Sequence, residues 1–320
     1  MARLMRAIFL GRLLRQDQHS RATLTQLTLI SNRYLAKLMD ISQQEAEKLL
    51  KSIIIPARPA ILDELNREAR KSEPDPGKIA QLIGKDVSLS AAMLKTVNSP
   101  LFGLSKRVAS VPQALAMLGS NNTINIITGL ALKNAMSGKQ NQQLDRFWDS
   151  AAQEAMVSAF IAGRLPGAQP DAAYTFGLFQ NCGIPLLMQR FPDYIQTLKT
   201  ANSAVDREFT AVEDERHATN HASVGYLMAR AWFLPEDIAQ AILCHHDLSI
   251  FDGASHDIKA EVCTLIAITR LAEHIAHGFL RLTVDAEWQK IGDHALRHLG
   301  LAENEYEDLR DEIHQMMSQE

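Results

Sequence analysis

Between Ala172 and Leu187 the chain reads Ala-Ala-Tyr-Thr-Phe-Gly-Leu-Phe-Gln-Asn-Cys-Gly-Ile-Pro-Leu-Leu. So apolar a run must be buried, and its pattern predicts a helix. Its centre is nevertheless polar: Gln180 and Asn181, followed by Cys182, Gly183 and Pro185. A buried amide without a partner costs about 1–3 kcal/mol per group, so polar side chains from elsewhere must meet this pair. The partners expected from the later chain are His221 and the doublet His245–His246. Neighbours on a helix point about 100° apart. One member of the doublet is therefore expected to face the pocket and the other to face away.

The rest of the sequence supplies helical walls. Apolar residues make up 46% of the 320 and aromatics only 6%, which suits helices of Leu, Ile, Ala and Met rather than β-sandwiches. No β-alternation, short-period repeat or low-complexity tract is found, so the expected fold is all-α. A net charge of −4, spread along the chain, argues against a nucleic-acid surface. Cys182, Cys244 and Cys263 sit in apolar, helix-like contexts and are read as free thiols of a reducing cytoplasm. No run of 18 apolar residues is present, so no membrane span is expected.

Taken in order, Met1–Arg15 carries Arg3, Arg6, Arg12 and Arg15 among apolar residues. It is read as a docking helix of the folded protein rather than a membrane anchor. Ser42 and Glu45 form a capping-box signature. The two short helices around Asp40-Ile41-Ser42 are a poor DNA reader, because Lys48 and Lys51 lie beside Glu45 and Glu47. Further helices are expected over Ile79–Gly84, Leu89–Val97, from Ser110 to Leu118, Ile124–Met136, Phe147–Leu165, from His221 to Trp232, Ile238–His246, Glu261–Gly278 and Tyr306–Met317. Asn98-Ser99 is read as a helix end and tight turn. Trp148 and Trp232 are read as core, Lys106 and Arg107 as surface cations, and Cys182 as an inert buried thiol. Asp149 and Glu154 are acids without a histidine partner in triad order and carry no assigned catalysis. The expected organisation is an N-terminal helical lobe over 1–51, a main domain over 52–250, and helices over 251–320 packed on it.

Several signatures in order resemble the HD-related output domain family, HDOD, a degenerate branch of the HD phosphohydrolase superfamily. They are Pro56-x-x-Pro59, Asp86-x-x-Leu89, Val97-Asn98-Ser99-x-Leu101-Phe102-Gly103, Ser110-Val111-x-x-Ala114 and Leu118-Gly119. Further along come Phe147-Trp148 with Ser150, Phe176-Gly177-Leu178 with Cys182-Gly183, His221-x-x-Val224-Gly225, Trp232-x-Leu234-Pro235, and Ala241-Ile242 before His245-His246. The resemblance implies a helical cup in which an active HD enzyme would hold one or two divalent metals with His and Asp side chains. At those positions this chain has Ser150 for the early His, Gln180-Asn181 for the His-Asp pair, and Thr269 near the late Asp. Only His221, His245 and His246 keep counterparts.

Every anionic ligand position is thus neutral, and Mg²⁺ or Mn²⁺ sites want carboxylates. The resemblance therefore implies a bacterial cytoplasmic regulatory module acting through contacts with other signalling proteins. No catalytic residue, cofactor or metal is expected. Any metal would be a zinc-like ion on His221, His245 and His246, while the favoured reading is a buried His–amide network satisfying Gln180, Asn181 and Ser150. The alternatives are a metal-dependent phosphohydrolase with rearranged ligands and a nucleotide-sensing cup. Partner and oligomeric state are not encoded in any motif.

Overall fold

The computed structural model describes residues 53–99, 107–136, 142–251, 258–280 and 285–318. The N-terminal lobe, its basic helix and its capping box lie outside the described residues, as do Lys106 and the Leu101-Phe102-Gly103 motif.

The architecture is all-α, with no strand among the described residues. Helices α1 (Ala60–Ala69), α2 (Pro76–Gly84), α3 (Val87–Val97), α4 (Val111–Leu118) and α5 (Ser120–Met136) build the front of the molecule. The long α6 (Gln142–Ala162) leads to α7 (Pro170–Phe179), α8 (Gly183–Arg190), α9 (Tyr194–Ser203) and α10 (Phe209–His217). Then come α11 (His221–Ala231), α12 (Glu236–Cys244), a 3₁₀ turn (Leu248–Phe251), the long α13 (Ala260–Leu280), α14 (Ala286–Leu299) and α15 (Glu303–Met317).

Local chemistry sets many of the starts. A free side-chain oxygen before a helix satisfies its orphan N–H groups. Asp75 accepts from Gly77 N at 2.8 Å, Asp86 from Leu89 N at 2.9 Å, Ser110 from Gln113 N at 3.3 Å, and Asn220 from Ser223 N at 2.8 Å. Asn98 ends α3 as its spacing predicts, and also clamps the chain ten residues on. Its amide donates to Leu94 O at 2.7 Å and Val108 O at 2.8 Å, and accepts from Val108 N at 2.7 Å.

Helix α7 packs against α6, α13, α5 and α12, while α13 packs along α6 and α14. One hydrophobic core runs from Ile53 to Met317 and includes Trp148 and Trp232. Both tryptophans are buried, and the Trp232 indole donates to Pro56 O at 3.0 Å. Val262, Ile266, Leu271 and Ile275 of α13 belong to that same core, so the chain beyond 250 forms a wall of the cup.

Two expectations need correction. Ala172–Leu187 is not one helix: it breaks at Gln180-Asn181-Cys182 and restarts at Gly183. Backbone proximity is the reason. A Cβ on Gly183 would stand 2.1 Å from the carbonyl oxygen of His221 and 2.9 Å from Gly225 N, so the α8 start is pressed onto α11. Pro185 falls in the first turn of α8, where its missing N–H costs nothing. The sequence reading also passed over α9, α10 and α14. These are polar surface helices; α10 buries only Phe209, Val212, Glu213 and His217.

Candidate functional site

Helix α12 ends at Cys244, and the chain turns there, with Asp247 N donating to Cys244 O at 2.8 Å. His245 and His246 sit on this turn instead of on a continuing helix, so the 100° rule does not apply. Both rings fan toward His221, contrary to the expectation that one would face away. His221 opens α11 directly opposite. Its Nε2 lies 3.0 Å from His245 Nε2 and 3.2 Å from His246 Nε2. His221 and His245 are fully buried and His246 nearly so. Phe209 stacks on His246 with centroids 4.9 Å apart and meets His221 edge-on.

The outer nitrogens are each held. His221 Nδ1 meets Glu213 Oε2 at 2.7 Å, His246 Nδ1 meets Glu287 Oε2 at 2.7 Å, and His245 Nδ1 meets the Ile242 carbonyl at 2.6 Å. Glu213 has no exposure and also accepts from the Tyr194 hydroxyl and the His221 backbone N–H. Burial, reinforced by Glu213, pushes the Tyr194 phenol well above its usual range, so it stays a donor. Glu287 also takes Lys290. Burial, then neighbouring His246, Arg270 and His221, holds His245 well below the usual imidazole range; burial and Arg270 do the same to His246.

The expected histidine–amide network is therefore not what forms. Carboxylates and a carbonyl, not Gln180, Asn181 and Ser150, satisfy the histidines. The Gln180 amide donates to Glu154 at 3.3 Å. Asn181 and Ser150 are half-buried, and no hydrogen bond joins either to the three histidines among the described residues. The physical reason is acceptor strength: an ionised carboxylate outcompetes a neutral amide for an imidazole N–H.

Behind the histidines lies a second polar group. Glu154 on α6 meets His277 on α13 at 3.2 Å, and Glu273 pairs with Arg270. Glu154, Glu273 and His277 offer ligand atoms within 4.8 Å of one another. Glu154 stands one turn beyond Ser150, and Glu273 one turn beyond Thr269. Arg270 links the two groups, its Nε donating to His245 O at 3.3 Å. Among the described residues Gln180 Oε1, Thr269 Oγ1 and Arg270 Nη2 are buried without a partner.

Sequence reasoning brought His221, His245, His246, Gln180 and Thr269 to this region and missed Glu213, Glu287, Tyr194, Arg270, Glu273 and His277. Glu213 precedes His221 by eight residues across a helix break, a spacing with no local signature. Cys182 is an inert thiol as read: it is fully buried, and desolvation pushes its pKa up to about 12. Asp149 is an exposed partner of Lys133 at 2.8 Å.

No helix of the described residues is long and apolar enough to cross a membrane. Comparison with known proteins adds the family. An uncharacterized protein of Treponema pallidum is 25% identical over 213 residues, 64% of this chain and 41% of that protein. The chain thus spans about two fifths of that curated relative. A "putative phosphohydrolase" of Shewanella amazonensis has a similar structure, with a TM-score of 0.61 at 20% identity, covering 88% of this chain and 94% of that one. A "putative signal transduction protein" of Marinobacter aquaeolei gives 0.56 at 19% identity, covering 90% and 66%. At such identities the likeness concerns the fold. The HDOD domain model matches residues 55–248, well over half the chain, and the protein belongs to the HDOD domain family.

Proposed function

We propose that this protein is a non-enzymatic regulatory module of bacterial signalling, working through contacts with partner proteins. One observation carries the reading. Where an HD hydrolase would present its charged His-Asp pair, this chain has a buried Gln180 whose amide donates to Glu154, beside a half-buried Asn181. A neutral amide brings no negative charge to a cation, where a divalent metal site of the HD kind uses a carboxylate. A positive charge is already built into the cup as the Arg270 guanidinium, 4% exposed and paired with Glu273. Partner specificity is assigned to the segments flanking the family domain, Met1 to Lys51 and Asp257 to Glu320. Both the family membership and the neutral pair support this reading, and it places the protein in the cytoplasm.

A phosphohydrolase with rearranged ligands has one observation in its favour: Glu154, Glu273 and His277 gather a turn away from the neutral positions. Their charges are, however, engaged by Gln180, Arg270 and one another. Assays against nucleotide and cyclic-dinucleotide phosphoesters with Mn²⁺, Fe²⁺ and Zn²⁺ separate the readings. No turnover is expected. Turnover that disappears in His221→Ala and Glu154→Gln would establish the enzyme instead.

A further inference from the structure

The corner between α11 and α12 holds a bulky residue in a backbone conformation that disfavours it. Helix α11 ends at Ala231, and the chain closes a double turn there. Leu234 N donates to Ala229 O at 3.0 Å, and Phe233 N donates to Arg230 O at 3.2 Å. Such a turn puts its next-to-last residue in the left-handed region, where glycine is the usual occupant because a Cβ crowds the following carbonyl. Here that residue is Phe233, with φ 57°.

The strain does not serve burial. Trp232 and Leu234 on either side are buried, yet Phe233 is 52% exposed. The Arg58 guanidinium lies over its ring, 5.2 Å from the centroid, and is itself fixed by Asp63 and the Leu62 carbonyl. With the Trp232 indole bonded to Pro56 O, the segment Ile54–Arg58 runs along this corner. Ile54, two residues before Pro56, is 80% exposed. A strained aromatic and an aliphatic side chain therefore offer apolar surface at one corner. Strain kept at an exposed aromatic points to a contact outside the core.

Chain connectivity names the occupant. Ile53 is buried in the core, and Leu50 and Leu49 precede it by three and four residues. At about 3.3–3.6 Å per residue fully extended, their Cα atoms cannot lie more than about 11–14 Å from that of Ile53. Ala46, Leu49 and Leu50 stand at i, i+3 and i+4, the spacing of one apolar helix face. So short a tether keeps that face at high local concentration beside the corner, and modest apolar contacts are enough to seat it. We propose that Ser42–Lys51 docks here as a strap, with Leu49 and Leu50 over Ile54 and Phe233. The strap would join the N-terminal segment to the corner linking α11, which opens at His221, to α12, which leads into His245 and His246. The proposal is independent of the regulatory reading, since an enzyme could carry the same strap. Turnover assays test that reading and leave this one untouched.

The test uses the full-length chain. Phe233→p-benzoylphenylalanine places a photo-crosslinker on the corner. Irradiating a mixture of isotopically light and heavy chains separates same-chain from between-chain products by mass. The expected product joins residue 233 to a peptide within 42–51 of the same chain. Crosslinks only to a second copy, only to other segments, or to nothing would overturn the strap. Phe233→Gly puts the favoured residue at the turn, so the protein should fold with a melting temperature near the parent's. Trypsin cleavage after Lys48 and Lys51 is then expected to be about tenfold faster, as for loss of one aromatic anchor. Leu50→Asp should have the same effect from the other side of the contact. Cleavage at the parental rate in both variants would also overturn the strap and leave Phe233 as packing for Arg58 alone.

Discussion

Each imidazole of the cup is set by what grips its far nitrogen. A ring held by a carboxylate or carbonyl keeps one tautomer, and the tautomer decides what the near nitrogen can do. The same logic of partnered charge operates away from the cup at Glu68. Its carboxylate is 3% exposed and accepts from Lys71 at 2.7 Å, with Lys78 at 3.1 Å and the Asp75 N–H at 3.4 Å. The Lys71 bond is the main cause that lowers its pKa from 4.5 to about 2. A carboxylate with a depressed folded value stabilises above its unfolded value and loses that contribution as pH falls toward the folded one. Glu68→Gln should therefore lower the melting temperature at pH 6–7. The gap between variant and parent should narrow between about pH 4.5 and pH 2. A gap constant across that range would count against the pairing as the source.

At the scale of helices, close approach decides the site. The α8 start sits on the α11 backbone because Gly183 has no side chain, and this brings the Gln180–Cys182 turn beside His221. Similarly, a Cβ on Gly177 of α7 would meet Ala155 Cα of α6 at 2.9 Å. Gly183→Ala forces a methyl against a backbone carbonyl that cannot rotate aside. The expected cost is on the order of 3 kcal/mol, read from the shift of the chemical-denaturation midpoint. Gly84→Ala, where nothing lies within 4 Å, should instead be neutral or slightly stabilising. Equal effects at the two glycines would refute the packing argument. The sequence showed Gly177 and Gly183 as motif residues but not which backbone each one faces, since the contacts join segments about twenty and about forty residues apart.

For the whole molecule, the matched family region ends at residue 248, yet the cup does not. Thr269, Arg270, Glu273 and His277 on α13 close it, and α13 lies along α6 and α7. A chain ending after Phe251 would lose Val262, Ile266, Leu271 and Ile275 from the core and leave α6 uncovered. Its expected behaviour is loss of a cooperative melting transition and exposure of apolar surface to a dye such as ANS. A sharp transition retained near the parent's temperature would show that the family region folds alone. The charge pattern follows the same division: Glu287, which orients His246, comes from α14, also outside the matched region.

Periodicity, caps and proline placement were enough to specify an all-α chain, most of its helices, its buried tryptophans and the three histidines, because those signals are local and each is carried by a few adjacent residues. The resemblance to HDOD domains was legible because many weak motifs keep their order. What only the tertiary structure decided is how the histidines are used. Their partners, Glu213, Ile242 O and Glu287, come from three different segments, and the doublet turns inward because α12 stops at Cys244, two residues earlier than its periodicity predicts. A hydrogen bond between distant residues leaves no periodic trace in the chain, so only the tertiary structure shows that carboxylates, the stronger acceptors, hold the histidines in place of the amides.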